Sequence, residues 1–120
     1  MGRKRAEEAL LHVKTEEMER GGFLLREPKG VPDVILIGTV DEADRLFSAA
    51  DILAVQGITA RLVAVSDAER FFAIRSGLIP PEIPCAAVSD KTRPYETGAD
   101  SALKRKAAQA LQLVAERERL

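Results

Sequence analysis

The stretch Val34-Ile35-Leu36-Ile37-Gly38-Thr39 decides the fold of this 120-residue chain. Its four consecutive apolar residues, three of them β-branched, predict a strand buried on both faces, as in a parallel sheet. Gly38 and Thr39 then lead into a helical pattern of apolar residues over 43–54, which Gly57 ends. The spacing of Thr39 and Glu42 is that of a capping box and predicts where this helix begins. The stretch therefore predicts a strand–helix unit.

The same pattern recurs further along the chain. Residues 61–65 form a second apolar run, Ser66 and Glu69 repeat the capping-box spacing, and a shorter helical pattern follows up to Gly77. Shorter strand candidates lie at 23–25 and 85–88. Strands that alternate with helices predict βαβ units. The expected fold is therefore α/β, a three-layer α/β/α domain with a short, mainly parallel sheet of about four strands.

The chain is expected to be a single domain over residues 1–120. We divide it into an N-terminal helix at 1–20, a βαβ core at 21–99 and a C-terminal helix at 100–120. Residues 89–99 contain Asp90, Pro94 and Gly98 and predict a loop.

Composition excludes several classes of protein. The net charge of −1 gives no general attraction to nucleic acid or to anionic lipid. The single cysteine, Cys85, cannot form an internal disulfide, and no apolar run approaches the roughly 20 residues of a membrane span. We therefore expect a cytoplasmic protein that binds neither nucleic acid nor a membrane.

One candidate ligand site lies at the carboxyl ends of the strands, where open α/β sheets usually bind ligands. It would be an anion site built from glycine, hydroxyl and basic residues: Gly38, Thr39, Ser66, Ser89, Lys91 and Arg93. A dinucleotide fingerprint is absent, since one glycine stands where several are needed. Asp41, Glu42 and Asp67 also satisfy the helix N-termini and repel phosphate. Helix capping is therefore the favoured interpretation of these hydroxyls.

No catalytic residues and no metal ligands are predicted. Cys85 and His12 have the residue types of a nucleophile and a base, but they lie in unrelated segments and no third group orients them. Cys85 begins an apolar strand, where a free cysteine usually serves as a small buried apolar residue.

Several motifs in one register resemble the C-terminal domain of transketolases and related thiamine-diphosphate-dependent enzymes. Residues 32–39, PDVILIGT, are similar to the family's "pDvILIgTGSEv", and the alanine pair 49–50 and the Gly57-Ile58 ending follow without a gap. Residues 60–71 are similar to "aRVVSMPsxExF", and residues 21–25 to "GgYvL". The resemblance covers about residues 19–84. Residues 40–42 depart from the family's Gly-Ser-Glu, and the later strand ending in "DxFGxSAp" has no counterpart, so the domain is shortened and diverged.

The resemblance implies a non-catalytic structural or oligomerisation module whose natural context is sugar-phosphate metabolism, the pentose phosphate reactions of transketolase. In that family, thiamine diphosphate and magnesium are held by other domains, and nothing here resembles their Gly-Asp-Gly…Asn motif. This chain alone is expected to bind no cofactor. Its expected partners are a second copy, as a homodimer, or the other domains of a larger enzyme. The first helix, a partner or a rearranged sheet would replace the strand missing near 89–99.

Two other hypotheses stay open. One is a small-molecule or anion-binding module at the strand ends described above. The other is an engineered or designed variant of the fold without biological activity.

Overall fold

A computed structural model describes residues 2–118 of the chain. Its helices and strands follow one another as α1 (Gly2–Leu11), α2 (Thr15–Glu19), β1 (Gly22–Arg26), β2 (Val34–Thr39), α3 (Ala43–Val55), β3 (Ala60–Val65), α4 (Ala68–Leu78), β4 (Cys85–Ala87) and α5 (Ala102–Glu118). Short 3-10 turns occupy Val40–Glu42 and Arg93–Tyr95. All four predicted strands are present.

The four strands form one mixed sheet in the order β1-β3-β2-β4. Strand β2 pairs in parallel with β3 and with β4, whereas β1 pairs antiparallel with β3. The side chains of Val34, Ile35, Leu36 and Ile37 are fully buried, as expected for a strand covered on both faces. The predicted α/β class is confirmed.

Helices cover both faces of the sheet. Leu36 and Leu62 point into a core formed with α1, α3 and α5, where Leu46, Leu53 and Leu111 are buried. On the opposite face, α4 and the turn at 93–95 enclose a smaller core around Ile37, Val63, Phe71 and Tyr95. The Phe71 and Tyr95 rings meet edge to face with centroids 4.8 Å apart. The molecule therefore has the three predicted layers.

The N-terminal segment differs from the single helix predicted at 1–20. Two helices, α1 and α2, are separated at residues 12–14. Helix α1 packs Ala6 into the core beside α3. Helix α2 lies against β1 and is tied to the end of β3, because Ser66 Oγ donates to the carbonyl oxygen of Met18 at 2.6 Å. A single straight helix cannot both pack against α3 and reach the end of β3, so the chain turns at residues 12–14. Met1 lies outside the described residues.

The start of α4 and the extent of α5 also differ from the expected bounds. Asp67, not Ser66, caps α4: its Oδ1 accepts from the backbone N–H of Glu69 at 3.1 Å and from that of Arg70 at 3.3 Å. Ser66 is not free to cap because its hydroxyl is bonded to α2. The helix predicted at 100–120 begins at Ala102, and positions 119–120 lie outside the described residues.

Residues 89–99 contain no strand in the structure, as predicted. Instead, Thr97 forms a single antiparallel bridge with Cys85 on the outer side of β4. Lys104 of α5 fixes this return by donating from Nζ to the carbonyl oxygens of Thr97 and Gly98, at 3.1 and 3.2 Å. The segment at 89–99 and α5 therefore cover the β4 edge, and the first helix does not.

Candidate functional site

The carboxyl ends of three neighbouring strands bring the predicted site residues to one edge of the sheet. Ser66 follows β3, Thr39 ends β2, and Ser89 follows β4 by two residues. The parallel register pairs Ile37 with Ala87, the last residue of β4, so Ser89 lies on the loop that leaves β4 next to the end of β2. The backbone N–H of Val88 donates to the carbonyl oxygen of Ile37 at 2.9 Å, which holds this part of the loop against β2.

Two hydroxyls at this edge are buried without a hydrogen-bond partner among the described residues. They are Thr39 Oγ1 and Ser89 Oγ. Most buried polar atoms in proteins are hydrogen-bonded, and each exception calls for a physical explanation such as a bound molecule or a water. The pair is therefore the strongest local sign of a ligand at the strand ends.

Glu42 places a buried carboxylate beside Thr39. The residue is 7% exposed, and its Oε1 accepts from the backbone N–H of Thr39 at 2.9 Å. Thr39 and Glu42 form the predicted capping box, although the Thr39 hydroxyl makes no hydrogen bond of normal geometry in it. Gly38 allows the close approach: a Cβ there would lie 3.0 Å from Val88 Cγ2 and 3.3 Å from Glu42 Oε1. The capping-box spacing is the sequence signal that points to Glu42.

The remaining predicted residues do not join this group. Ser66 is exposed and bonded to Met18. Arg93 Nε lies 2.8 Å from Asp90 Oδ1 in an exposed ion pair, and Lys91 is exposed. The structure therefore groups Gly38 and Thr39 with Glu42, keeps Ser89 on the loop after the neighbouring strand β4, and leaves the hydroxyl of Ser66 and both basic residues in other surroundings.

Cys85 and His12 do not form a reactive pair. Burial is the main cause that raises the pKa of the Cys85 thiol from 9.0 to about 12, so the thiolate is absent at neutral pH. His12 is exposed in the turn between α1 and α2. The Cys85 side chain is buried in the core that contains Ile37, as predicted from its position in an apolar strand.

Within residues 2–118, no three His, Cys, Asp or Glu side chains are grouped so that they could hold a metal. No helix in the same part of the chain has the length and apolar character needed to cross a membrane.

Sequence reasoning did not identify a cleft at the lateral margin of the sheet, beside the outermost strand β1. It has a volume of about 460 Å³ and lies between α2, β1 and α4. Its walls include Arg20, Gly22, Leu24, Ile74 and Leu78, and Gly77 leaves it open because a Cβ there would meet nothing within 4 Å. The pattern GFLL shows a strand but not that the strand lies at the margin of the sheet, so the cleft could not be found from periodicity.

Comparison with known proteins gives transketolases by sequence and by structure. No family model matches the chain. It is 36% identical over 80 residues to transketolase 2 of Xanthobacter flavus, covering 63% of this chain and 12% of that protein. It is 38% identical over 76 residues to the chromosomal transketolase of Cupriavidus necator, covering 60% of this chain and 11% of that one.

Solved structures show the same fold. A transketolase of Pichia stipitis in complex with fructose 6-phosphate superposes with a TM-score of 0.61 at 22% identity, over 88% of this chain and 18% of that one. Transketolase from Leishmania mexicana gives 0.61 at 15% identity over 89% of this chain. The resemblance predicted from the sequence motifs is thereby confirmed. In sequence and in fold, this chain is similar to a segment that amounts to 12–18% of a transketolase.

Proposed function

We propose that this chain is a non-catalytic structural and oligomerisation module of a transketolase-type enzyme, acting in sugar-phosphate metabolism in the cytoplasm. The observation that carries the proposal is the match to transketolases over a segment only about an eighth of their length. Its partners would be a second copy or the other domains of such an enzyme, which would hold thiamine diphosphate and magnesium. With a net charge of −1, neither nucleic acid nor a membrane is proposed as a partner.

The state of the titratable groups supports a structural role. The pKa of Cys85 is raised by burial, and the ion pairs of Arg5 with Asp51, Arg45 with Glu118 and Arg61 with Glu27 tie elements of the fold together. Each of these pairs joins two neighbouring elements, which is the role expected of charged groups in a structural module.

The proposal is tested with the purified chain in two measurements. Light scattering after size-exclusion chromatography, over a hundredfold range of concentration, should show a species larger than a monomer. A ketol-transfer assay with xylulose 5-phosphate, thiamine diphosphate and magnesium should show no turnover, with an intact transketolase as the positive control. Turnover by the chain alone would contradict the non-catalytic role, and a strictly monomeric protein would contradict the oligomerisation role.

The unpartnered hydroxyls of Thr39 and Ser89 favour a second candidate function, small-molecule binding at the strand ends. The buried carboxylate of Glu42 disfavours a phosphate there, so a neutral or cationic ligand group suits the site better than an anion. A thermal-shift screen of polyols, amines and sugar phosphates tests it, because a ligand at 100 times its Kd adds about 2.7 kcal/mol of stability. The Thr39→Val variant should lose any shift, and no shift with any compound would contradict this function.

The hypothesis of an engineered variant without activity predicts neither association nor ligand binding. The same two sets of measurements therefore separate it from the functional proposals.

A further inference from the structure

Strand β1 leaves hydrogen-bonding groups unpaired at the margin of the sheet. Gly22 pairs with Val65 and Leu24 with Val63 in the antiparallel register, and the carbonyl oxygen of Gly21 accepts from Ser66 N–H at 2.9 Å. Because hydrogen-bonded and non-hydrogen-bonded pairs alternate in such a ladder, Gly21 and Phe23 bond to β3. Gly22 and Leu24 therefore direct their N–H and C=O groups away from the sheet.

No neighbouring segment takes up these groups. Among residues 2–118, the backbone hydrogen bonds outside helices and strands involve neither Gly22 nor Leu24, and no side chain bonds to their backbone. An unpaired edge of this kind is a template for another strand unless charges or prolines protect it.

The exposed side chain of Leu24 and the cleft beside β1 lie on the same margin of the sheet. Leu24 is 40% exposed. The cleft is walled by Ile74 and Leu78, and Gly77 leaves room because a Cβ there would meet nothing within 4 Å. Gly22 lies at the same cleft, two residues before Leu24, so both features lie on one face of the strand.

We propose that β1 pairs antiparallel with β1 of a second copy about a twofold axis at Phe23. In this register, Gly22 of each copy lies opposite Leu24 of the other, and the outward N–H and C=O groups form four backbone hydrogen bonds. Each Leu24 enters the other copy's cleft beside Gly22, so the contact is the same for both copies, as closed twofold symmetry requires. The inference rests on the proposed oligomerisation function and specifies its surface.

The charges along this edge complement a second copy in the antiparallel direction. Helix α2, just before β1, carries Glu16, Glu17 and Glu19, which outnumber the flanking Lys14 and Arg20, and the other end of the strand carries Arg26 and, beyond it, Lys29. Glu27 between them is neutralised by Arg61, with Nε and Oε2 2.9 Å apart. Antiparallel pairing runs the basic end of each strand alongside the acidic helix of the other copy, which favours this partner and this direction.

The length of the pairing is limited by a bulge. The register of β1 shifts between Leu24 and Arg26, and such an irregularity bends an edge strand away from a neighbour. The new ladder therefore covers Gly22 to Leu24, and a reversible dimer is expected.

The proposal is tested by comparing Leu24→Lys with Leu113→Lys in sedimentation velocity. Leu113 is 44% exposed, close to the 40% of Leu24, but it lies on α5, away from β1. The wild-type chain should dimerise reversibly. Leu24→Lys should raise the dimer dissociation constant by about tenfold or more, because a central apolar contact is lost, while Leu113→Lys should change it by less than about twofold.

Amide hydrogen exchange of the wild-type chain supplies a second readout that needs no substitution. Exchange at Gly22 and Leu24 should slow as the protein concentration rises, while the exposed amides of residues 29–31 should not change. A dimer that Leu24→Lys leaves intact, or that leaves the Gly22 and Leu24 amides unprotected, would overturn this edge as the interface and leave the oligomerisation role standing. A wild-type chain that is monomeric throughout would overturn both.

Discussion

Gly21 and Gly22 set the distance between β1 and α4. Gly21 has a positive φ of 96°, and a Cβ at this position would lie 2.5 Å from Phe71 N and 2.6 Å from the carbonyl oxygen of Asp67. A Cβ on Gly22 would run into the Phe71 ring. Because Phe71 is fully buried between α4 and the sheet, neither element can move aside.

We therefore expect Gly21→Ala to lower the free energy of unfolding by more than about 2 kcal/mol, through strain at positive φ and steric overlap. The matched control is Gly77→Ala in α4, where a Cβ meets nothing within 4 Å. The control should raise stability by about 0.5–1 kcal/mol because alanine favours the helix. Urea unfolding checks both, and equal midpoints for the two variants would contradict the expectation.

The buried thiol of Cys85 makes stability sensitive to high pH. Burial raises its pKa from the ordinary 9.0 to about 12 in the folded chain. The unfolded chain therefore loses this proton first, so the contribution is present below pH 9 and is lost as the pH rises toward 12.

The corresponding prediction compares the wild-type chain with Cys85→Ala between pH 8 and about pH 11. The free energy of unfolding should fall more steeply with pH in the wild-type chain than in the variant, because other groups titrate equally in both. Thiol labelling at pH 8 should also be slow until the chain is unfolded. Parallel pH profiles would show that Cys85 is not the group responsible.

At the scale of elements, α5 closes the larger core. Leu111 is 7% exposed and packs with Leu36 and Leu53, whereas Leu113 on the same helix is 44% exposed. The helix also supplies Lys104, which holds the return of the chain at Thr97. Loss of packing on α5 should therefore weaken the whole α1, α3 and α5 layer.

Leu111→Ala should destabilise the fold by about 2–4 kcal/mol, since it leaves a cavity in the core. Leu113→Ala makes the same chemical change on the solvent side and should stay within about 0.5 kcal/mol of the wild-type chain. Thermal or urea unfolding measures the difference. Similar losses for the two variants would mean that α5 does not pack as described.

The strands could be predicted because a short run of consecutive β-branched apolar residues is typical of a strand buried on both faces. Four buried residues from Val34 to Ile37 require cover on both faces, and this alone implies helices above and below. The break between α1 and α2 could not be predicted, because helix propensity is high throughout and the turn depends on tertiary bonds such as Ser66 to Met18. The cap of α4 shifted by one residue for the same reason.

At the scale of the whole molecule, the open β1 edge determines the shape of any assembly. The Cα radius of gyration is 13.1 Å and the extents are 34 × 31 × 28 Å. Two copies joined edge to edge lie side by side along a continuous sheet. The dimer is therefore elongated along the direction in which the strands lie side by side.

Small-angle scattering should accordingly give a radius of gyration of about 20 Å for the dimer, and about 13–14 Å for a dilute monomer. Leu24→Lys should stay near the monomer value at the concentration where the wild-type chain dimerises. A clearly smaller dimer radius would contradict the edge-to-edge arrangement.

The candidate site was only partly predictable at this scale. The carboxyl ends of parallel strands lie on one side of a sheet whatever the strand order, so Thr39, Ser66 and Ser89 could be assigned to that side from the sequence. The order β1-β3-β2-β4, which puts the ends of β2 and β4 next to each other, could not. Ser66 and Arg93 do not join the candidate site, because Ser66 is hydrogen-bonded to α2 and Arg93 is paired with Asp90. No sequence spacing predicts either interaction. Whether Thr39 and Ser89 bind a ligand stays a prediction.

The antiparallel pairing of β1 with β3 has a consequence for synthesis on the ribosome. Strand β1 ends at Arg26 and pairs with a strand that ends at Val65, so it must wait for roughly 40 further residues, a few seconds at ordinary translation rates. During that interval, Phe23, Leu24 and Leu25 have no sheet to join. Strand β1 is thus made before the strand it pairs with, and nascent chains on neighbouring ribosomes can meet through it before β3 appears.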